Sequence, residues 1–204
     1  MSGAEDEDLQ KHNTKMAKKK AARDRMMEKK IDEKGLVIVH TGKGKGKSSS
    51  AFGMALRCVG HGYKVGVIQF IKGAWDTAER RVFEGFPELV TFKAMGEGFT
   101  WETQDKERDI AAAQKAWAAG KEMIESGEYR MVILDEINVA LRYEYIDEAD
   151  VIQTLKKRPE LVHVVLTGRN ASEALLDVAE LATEMTLLKH PFRSGIKAQP
   201  GVEF

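Results

Sequence analysis

This chain alternates short apolar runs with longer amphipathic segments. The apolar runs predict strands at 36–41, 64–71, 89–95, 130–136, 162–168 and 183–188. Between them, apolar residues recur every three or four positions, which predicts helices at 48–61, 105–127, 147–157 and 172–181. Strands that are apolar throughout and alternate with helices favour a mostly parallel sheet covered by helices on both faces. The chain is therefore predicted to be an α/β protein.

The first 34 residues differ in composition from the rest. They begin with acids, become rich in lysine between Lys11 and Lys30, and contain few large apolar side chains. Such a segment has little to bury, so it is predicted to form a helical or disordered arm at 1–34, before an α/β domain at 35–204. Two interpretations fit its mixed charge: a solvated tail, or an arm that orders as a lid over a ligand or a partner subunit.

Composition argues against several classes of protein. With 32 basic and 32 acidic side chains among 204 residues, the formal net charge is zero, which disfavours a nucleic-acid-binding protein. The single cysteine, Cys58, rules out an intramolecular disulfide and favours a reducing compartment. No apolar run reaches the roughly 18–20 residues of a membrane span, and the N-terminus lacks the apolar segment of a secretory signal. We therefore expect a cytoplasmic protein with no membrane or nucleic-acid partner.

The sequence TGKGKGKSS at 41–49 lies between a predicted strand and a predicted helix. Glycines let such a loop turn tightly and aim backbone N–H groups at a phosphate, and the dipole of the following helix adds positive charge. In this interpretation Lys47 reaches the outer phosphates and the Ser48 hydroxyl binds Mg²⁺. The loop departs from the usual G-x-x-x-x-G-K-[ST] pattern, because Thr41 stands at the first glycine position and Gly42 follows it. A flexible basic turn is the alternative interpretation.

A phosphate loop also needs an acid at the end of a neighbouring strand, and MVILDE supplies two. Asp135 and Glu136 follow a buried strand, at the edge where the carboxyl ends of parallel strands face the loop. One or both are predicted to bind or orient Mg²⁺ together with Ser48, although a strand-end acid can also cap the next turn. The candidate ATP-binding residues are Thr41, Gly42, Lys43, Gly44, Lys45, Gly46, Lys47, Ser48, Ser49 and, after the fifth strand, Arg169.

Binding of ATP does not define the reaction. A phosphotransferase would need a hydroxyl substrate and a base, and neither can be identified from the residues alone. The loop GEGFTWET at 96–103 carries two large aromatic residues, Phe99 and Trp101. Aromatic residues on such a loop either fill the core or form an apolar platform for a flat ligand.

Taken in order, TGKGKGKSSSAFG, RCVGHGYKVGVIQFIKG, GFTWET, MVILDE, LTGR and KHPFRSGIKAQPGVEF resemble the P-loop type of ATP:cob(I)alamin (corrinoid) adenosyltransferase. The resemblance covers about residues 35–204, and GFTWET and the C-terminal motif are far more specific than the phosphate loop. It implies a RecA-like P-loop NTPase fold and a homodimer. It also implies transfer of the 5′-deoxyadenosyl group of ATP to the Co(I) centre of a corrinoid, with release of triphosphate, in adenosylcobalamin biosynthesis or salvage.

The resemblance also implies roles for individual residues. Co(I) is itself a strong nucleophile, so the protein mainly has to align the reactants and stabilise the departing triphosphate, which is the catalytic role of Lys47. Phe99 and Trp101 are expected beneath the corrin, where they displace the lower axial ligand. A flavoprotein electron donor, flavodoxin or similar, can then reduce the four-coordinate Co(II). Lys47, Phe99 and Trp101 are therefore the candidate catalytic residues, and Phe99 and Trp101 the candidate corrinoid-binding residues.

Two other functions are compatible with part of the sequence. A P-loop kinase or NTPase of similar fold would give ADP or a phosphorylated substrate. A nucleotide-regulated corrinoid carrier would bind both ligands without turnover. The joint presence of GFTWET and the C-terminal motif disfavours both.

Overall fold

Residues 2–30, 32–71, 77–96 and 105–203 are described by a computed structural model of the chain. The chain divides into two units, Met1–Glu33 and Lys34–Phe204. The first contains helix α1, Ser2–Met27, whose described side chains are exposed. The predicted aromatic residues Phe99 and Trp101 lie outside the described residues. No helix among those ranges is long and apolar enough to cross a membrane.

The second unit is built on a sheet of six parallel strands in the order β3-β2-β4-β5-β1-β6. The strands are β1 (Val37–Thr41), β2 (Val65–Gln69), β3 (Val90–Ala94), β4 (Met131–Asp135), β5 (His163–Thr167) and β6 (Leu181–Glu184). The prediction of a parallel α/β sheet is confirmed. The sixth strand begins before its predicted range of 183–188, because its position is set by pairing with β1, from Ile38 with Leu181 to Thr41 with Glu184.

Helices connect the strands within the described ranges of the second unit. They are α2 (Lys47–Gly60), α3 (Ala78–Phe83), α4 (Lys106–Ser126), α5 (Ile137–Arg142), α6 (Glu148–Lys157) and α7 (Glu173–Val178), with a 3₁₀ turn at Pro191–Ser194. Three of these helices, α3, α5 and α7, have six residues each, fewer than two turns, which is too short for an apolar period to define them. Helices α3 and α5 were not predicted, and the range 172–181 predicted for α7 runs past its end at Val178.

Apolar side chains cover both faces of the sheet. Along β1, Val37 and Val39 join the core formed with α4, α6 and α7, whereas Ile38 joins the core formed with α2 and α3. This alternation follows from the two-residue period of a strand, which sends successive side chains to opposite faces. Covering helices on both faces are therefore confirmed, and the polar groups concentrate at the two ends of the strands.

A cluster at the amino end of the sheet joins β6 to the start of β1. The Glu180 carboxylate accepts hydrogen bonds from the Val37 N–H (2.6 Å), Lys34 Nζ (2.8 Å) and Arg158 Nη2 (3.2 Å). Burial raises the pKa of Glu180, but the bonds from Lys34 and Val37 and the charge of Arg158 outweigh it and lower the pKa from 4.5 to about 2. The ionised carboxylate is thus part of the folded state.

Acid should weaken the fold through this carboxylate. In the folded chain Glu180 stays ionised down to about pH 2, whereas the unfolded chain binds the proton near pH 4.5. Its stabilisation is therefore complete above about pH 4.5 and is lost as the pH falls towards 2. Allowing for solvent screening, Glu180→Gln is expected to cost about 1–2 kcal/mol of unfolding free energy at pH 6 and less at pH 3. Urea unfolding at both pH values tests this, with the exposed Glu128→Gln as the control; equal losses at both would contradict it.

Candidate active site

The loop between β1 and α2 has the backbone of a phosphate loop. Gly42 and Gly46 have φ values of 96° and 106°, in the left-handed region that glycine tolerates best. The Gly44 N–H donates to the Met185 carbonyl at 2.7 Å, which ties the loop to the segment after β6. Thr41 ends β1, and its hydroxyl accepts a hydrogen bond from the Ala171 N–H at 3.0 Å. Thr41, the residue that departs from the usual pattern, thus ties the start of the phosphate loop to the segment after β5.

Lys47 is the central cation of this loop. Its side chain is buried, and Nζ donates to the carbonyl oxygens of Gly42 (3.0 Å) and Gly44 (2.5 Å). Burial lowers the pKa of Lys47, the carboxylate of Glu136 opposes the change, and the positive charge of Arg169 adds to it. A desolvated ammonium held by neutral carbonyls gains most from an anionic ligand, so this loop is suited to bind phosphates.

The other basic residues of the loop are more exposed. Lys45 forms an ion pair with Glu203 near the C-terminus, and the Lys43 side chain is exposed. Ser48 is half-buried and Ser49 is exposed in the first turn of α2. Arg169 is exposed in the bend after β5, close enough to Lys47 to affect its pKa. The predicted phosphate-binding residues of the loop and of the bend after β5 therefore share one end of the sheet.

A row of polar side chains crosses the sheet at this carboxyl end. The four central strands each contribute one buried polar residue, namely Gln69, Asp135, Thr167 and His40. Gln69 Nε2 donates to Asp135 Oδ2 at 3.0 Å, and the Thr167 hydroxyl donates to Asp135 Oδ1 at 2.7 Å. Both carboxylate oxygens of Asp135 are thus hydrogen-bonded inside the protein, where they hold the ends of β2, β4 and β5 together.

His40 extends the row to the phosphate loop. Its Nδ1 lies 3.2 Å from the Lys47 carbonyl, and because a carbonyl only accepts, Nδ1 carries the proton. Burial lowers the pKa of His40, although this hydrogen bond opposes the change. A neutral imidazole therefore holds the first residue of α2 through the Lys47 carbonyl.

Glu136 comes directly after Asp135 in the chain and has a positive φ. Its φ of 64° is left-handed, which costs about 1–2 kcal/mol for a residue other than glycine. Its N–H donates to the Thr167 hydroxyl at 2.9 Å, and its half-buried carboxylate raises the pKa of Lys47. A strained residue held beside the central lysine is typical of a functional site.

Two buried carbonyl oxygens at this end accept no hydrogen bond in the described structure: Gln69 Oε1 and Asn138 Oδ1. The amide nitrogens of both residues are used, because Gln69 donates to Asp135 and Asn138 Nδ2 donates to the Gly168 carbonyl at 3.0 Å. Buried acceptors of this kind are usually satisfied by water or by a ligand.

Four polar residues of this end of the sheet were not predicted from the sequence: Gln69, Thr167, His40 and Asn138. For the three strand residues a signal was present, because each follows an apolar run in VIVHT, VGVIQ or HVVLT at the end where Asp135 follows MVIL. A polar residue at or next to the end of a largely buried strand is placed at the carboxyl edge of the sheet, where α/β proteins bind ligands. Asn138 had no comparable signal.

Comparison with known proteins assigns the chain to a family. The model of the family described as ATP:corrinoid adenosyltransferase BtuR/CobO/CobP matches residues 33–204. The chain belongs to this family. A corrinoid adenosyltransferase of Sinorhizobium is 59% identical over 98% of this chain and 94% of its own length. One from Pseudomonas aeruginosa is 50% identical over 96% of both chains, and one from Salmonella typhimurium is 45% identical over 85% of this chain and 87% of its own.

Membership of the corrinoid adenosyltransferase family confirms the resemblance carried by the motifs. ATP and a corrinoid are therefore its substrates, and the chain is a transferase. Among solved structures, the RadB recombinase aligns with a TM-score of 0.47 and 15% identity over 78% of this chain and 77% of that one.

The polar groups beside the phosphate loop match the requirements of Mg²⁺. This ion prefers oxygen ligands and is usually held by one or two protein side chains together with waters and substrate phosphates. The Ser48 hydroxyl and the Glu136 carboxylate are oxygen donors of this kind. Within the described residues, no three His, Cys, Asp or Glu side chains come together as a protein-only metal site. Such a site would bind the ion chiefly together with ATP.

Proposed function

We propose that the described site holds ATP so that its 5′ carbon faces the Co(I) of a corrinoid, and that the chain acts in adenosylcobalamin biosynthesis or salvage. The observation that carries this assignment is the buried Lys47 ammonium beside Glu136, within a chain of the corrinoid adenosyltransferase family. In the reaction the Co(I) electron pair forms the Co–C bond. The bond between C5′ and the triphosphate oxygen breaks, and triphosphate leaves with the electron pair of the broken C–O bond.

In this proposal the described residues act on the leaving group. Lys47, Lys45 and Arg169 offset the negative charge that develops on the triphosphate, and the N–H groups of residues 42–48 bind its oxygens. No side chain has to remove a proton, because neither the nucleophile nor the attacked carbon loses one. Alignment of the two substrates is therefore the main catalytic task of the protein.

Ser48 and Glu136 are the proposed protein ligands of Mg²⁺. When bound it neutralises part of the triphosphate charge. Asp135, which the sequence analysis grouped with these ligands, has both oxygens occupied by Gln69 and Thr167. We assign Asp135 to the support of the site.

The test is an anaerobic assay with ATP, Mg²⁺ and chemically reduced cobalamin, in which the cobalt spectrum and the phosphate product are followed together. A light-sensitive adenosylcobalamin spectrum with an equal amount of triphosphate is expected. Steady release of ADP without a Co–C bond would instead support a kinase or NTPase. Tight binding of both ligands without turnover would support a carrier.

The aromatic pair is proposed to act on the reduction step. If Phe99 and Trp101 displace the lower axial ligand of the corrin, apolar rings suit the task because they cannot coordinate cobalt. Trp101→Ala is expected to lose most of its activity when a flavoprotein reduces Co(II), and much less when Co(I) is supplied. ATP affinity should remain unchanged. Equal losses with both sources of Co(I) would contradict this role.

The homodimer and the flavoprotein donor are proposed on the resemblance alone. The cytoplasmic location is proposed on the composition, and the lid on the lysine-rich, helical character of residues 1–34. Light scattering after gel filtration measures the mass of the assembly and so tests the dimer. For the lid, the measurement is the corrinoid KM of a chain without residues 1–30. An unchanged KM and kcat would leave the arm a solvated tail.

A further inference from the structure

The Thr167 hydroxyl links the buried carboxylate of Asp135 to the backbone of Glu136. It donates to Asp135 Oδ1 at 2.7 Å and accepts the Glu136 N–H at 2.9 Å. We propose that Thr167 is a positioning residue that holds Glu136 in its active conformation, and that Asp135 acts through it. The inference deepens the proposed function, because it concerns the residue assigned there to the ATP-bound metal ion.

The direction of these hydrogen bonds is determined by chemistry. The Glu136 N–H can only donate, so the Thr167 hydroxyl oxygen has to accept from it. The hydroxyl hydrogen is then left to donate to Asp135 Oδ1. Gln69 Nε2 occupies the other carboxylate oxygen of Asp135 at 3.0 Å and keeps the carboxylate from turning. All three side chains are at most 1% exposed, so water does not compete with these bonds.

Glu136 needs this support because its backbone is left-handed, with φ 64° and ψ 21°. A residue with a side chain leaves this region readily unless its surroundings hold it there. On one side, Gly168 lies so close that an added Cβ would be 3.3 Å from Glu136 Oε2. On the other, the Thr167 hydroxyl binds the backbone N–H. Without the hydroxyl, both the N–H and Asp135 Oδ1 would lose a partner, and the left-handed backbone of Glu136 would lose a bond that holds it in place.

Three variants separate positioning from a general structural role. Thr167→Val removes the hydroxyl and keeps the shape, whereas Thr167→Ser retains the hydroxyl. Thr154→Val is the matched control, because Thr154 is also buried in the described structure and its hydroxyl donates to the Asp150 carbonyl of α6 at 2.9 Å. Thr167→Ala replaces Thr167→Val if the valine variant is not recovered folded.

The readout is the affinity for Mn²⁺, used in place of Mg²⁺ and measured by electron paramagnetic resonance with ATP present and no corrinoid. Removal of a group that orients a metal ligand typically weakens metal binding about 10–100-fold, and we expect Thr167→Val to fall in this range. Thr167→Ser should bind Mn²⁺ within about threefold of the unmodified chain, as should Thr154→Val. Thermal unfolding of all variants is measured beside it.

The proposal is overturned if Thr167→Val binds Mn²⁺ as Thr154→Val does, or if Thr167→Ser is as weak as Thr167→Val. These outcomes are independent of the reaction, since no corrinoid is present. A chain that makes adenosylcobalamin but shows no effect at Thr167 would refute the positioning role alone. A chain that makes none, yet depends on the Thr167 hydroxyl for Mn²⁺ binding, would refute the assigned reaction alone.

Discussion

Replacing Lys47 with methionine is expected to lower kcat/KM for ATP roughly 10³-fold, about the cost of removing a preorganised charged donor from a site that binds a developing anion. Methionine keeps most of the length of the buried side chain and removes the ammonium. The phosphate loop should retain its backbone, because the hydrogen bond from the Gly44 N–H to the Met185 carbonyl does not involve the ammonium. The loss should therefore appear in catalysis and in ATP binding rather than in folding.

Steady-state kinetics with saturating Co(I)alamin measures the effect, and calorimetric titration with ATP separates binding from turnover. Lys64→Met is the matched control, because Lys64 is an exposed lysine just before β2, at the opposite end of the sheet. It should leave kcat/KM within about twofold of the unmodified chain. A Lys47→Met variant with less than a tenfold loss would mean that other groups hold the triphosphate.

The sheet could be predicted from the sequence because four of its strands are largely buried and apolar. VIVHT, VGVIQ, MVILD and HVVLT are recognisable without any partner, since strands covered on both faces read as continuous apolar runs. The sixth was placed too late because Leu181–Glu184 is exposed along its whole length. An exposed strand has no continuous apolar run that would mark its ends, and the pairing of β6 with β1 cannot be predicted from a single sequence.

The candidate site was predictable only where a motif carried it. The loop TGKGKGKSS and the acids Asp135 and Glu136 have recognisable spacing, so they were found. The contact of Thr167 with Glu136 and Asp135 could not be predicted, because it depends on the register of β4 with β5. The role of Thr41 could not be predicted from the sequence either. In the sequence its departure from the usual pattern weakens the motif, whereas in the structure its hydroxyl accepts a hydrogen bond from the Ala171 N–H.

Gly44→Ala is expected to lower ATP affinity about 100-fold and to destabilise the fold by about 1–3 kcal/mol. A Cβ at this position would lie 2.7 Å from the Met185 carbonyl oxygen and 2.8 Å from the Thr186 carbonyl oxygen. Both contacts are with backbone atoms, which cannot turn aside as a flexible side chain can. The loop would therefore have to move away from the segment after β6, and the 2.7 Å hydrogen bond from the Gly44 N–H would break.

Gly53→Ala provides the control, because Gly53 lies on the exposed side of α2 and an added Cβ there meets no atom within 4 Å. Alanine is favoured over glycine in a helix, so this variant should be more stable by about 0.5–1 kcal/mol with unchanged ATP affinity. Calorimetric titration with ATP and Mg²⁺, together with thermal unfolding, measures both effects. Unchanged ATP affinity in Gly44→Ala would show that the loop does not need its contact with Met185 to bind the triphosphate. A loss of affinity in both variants would place the effect in α2, since the loop and the helix would then respond as one element.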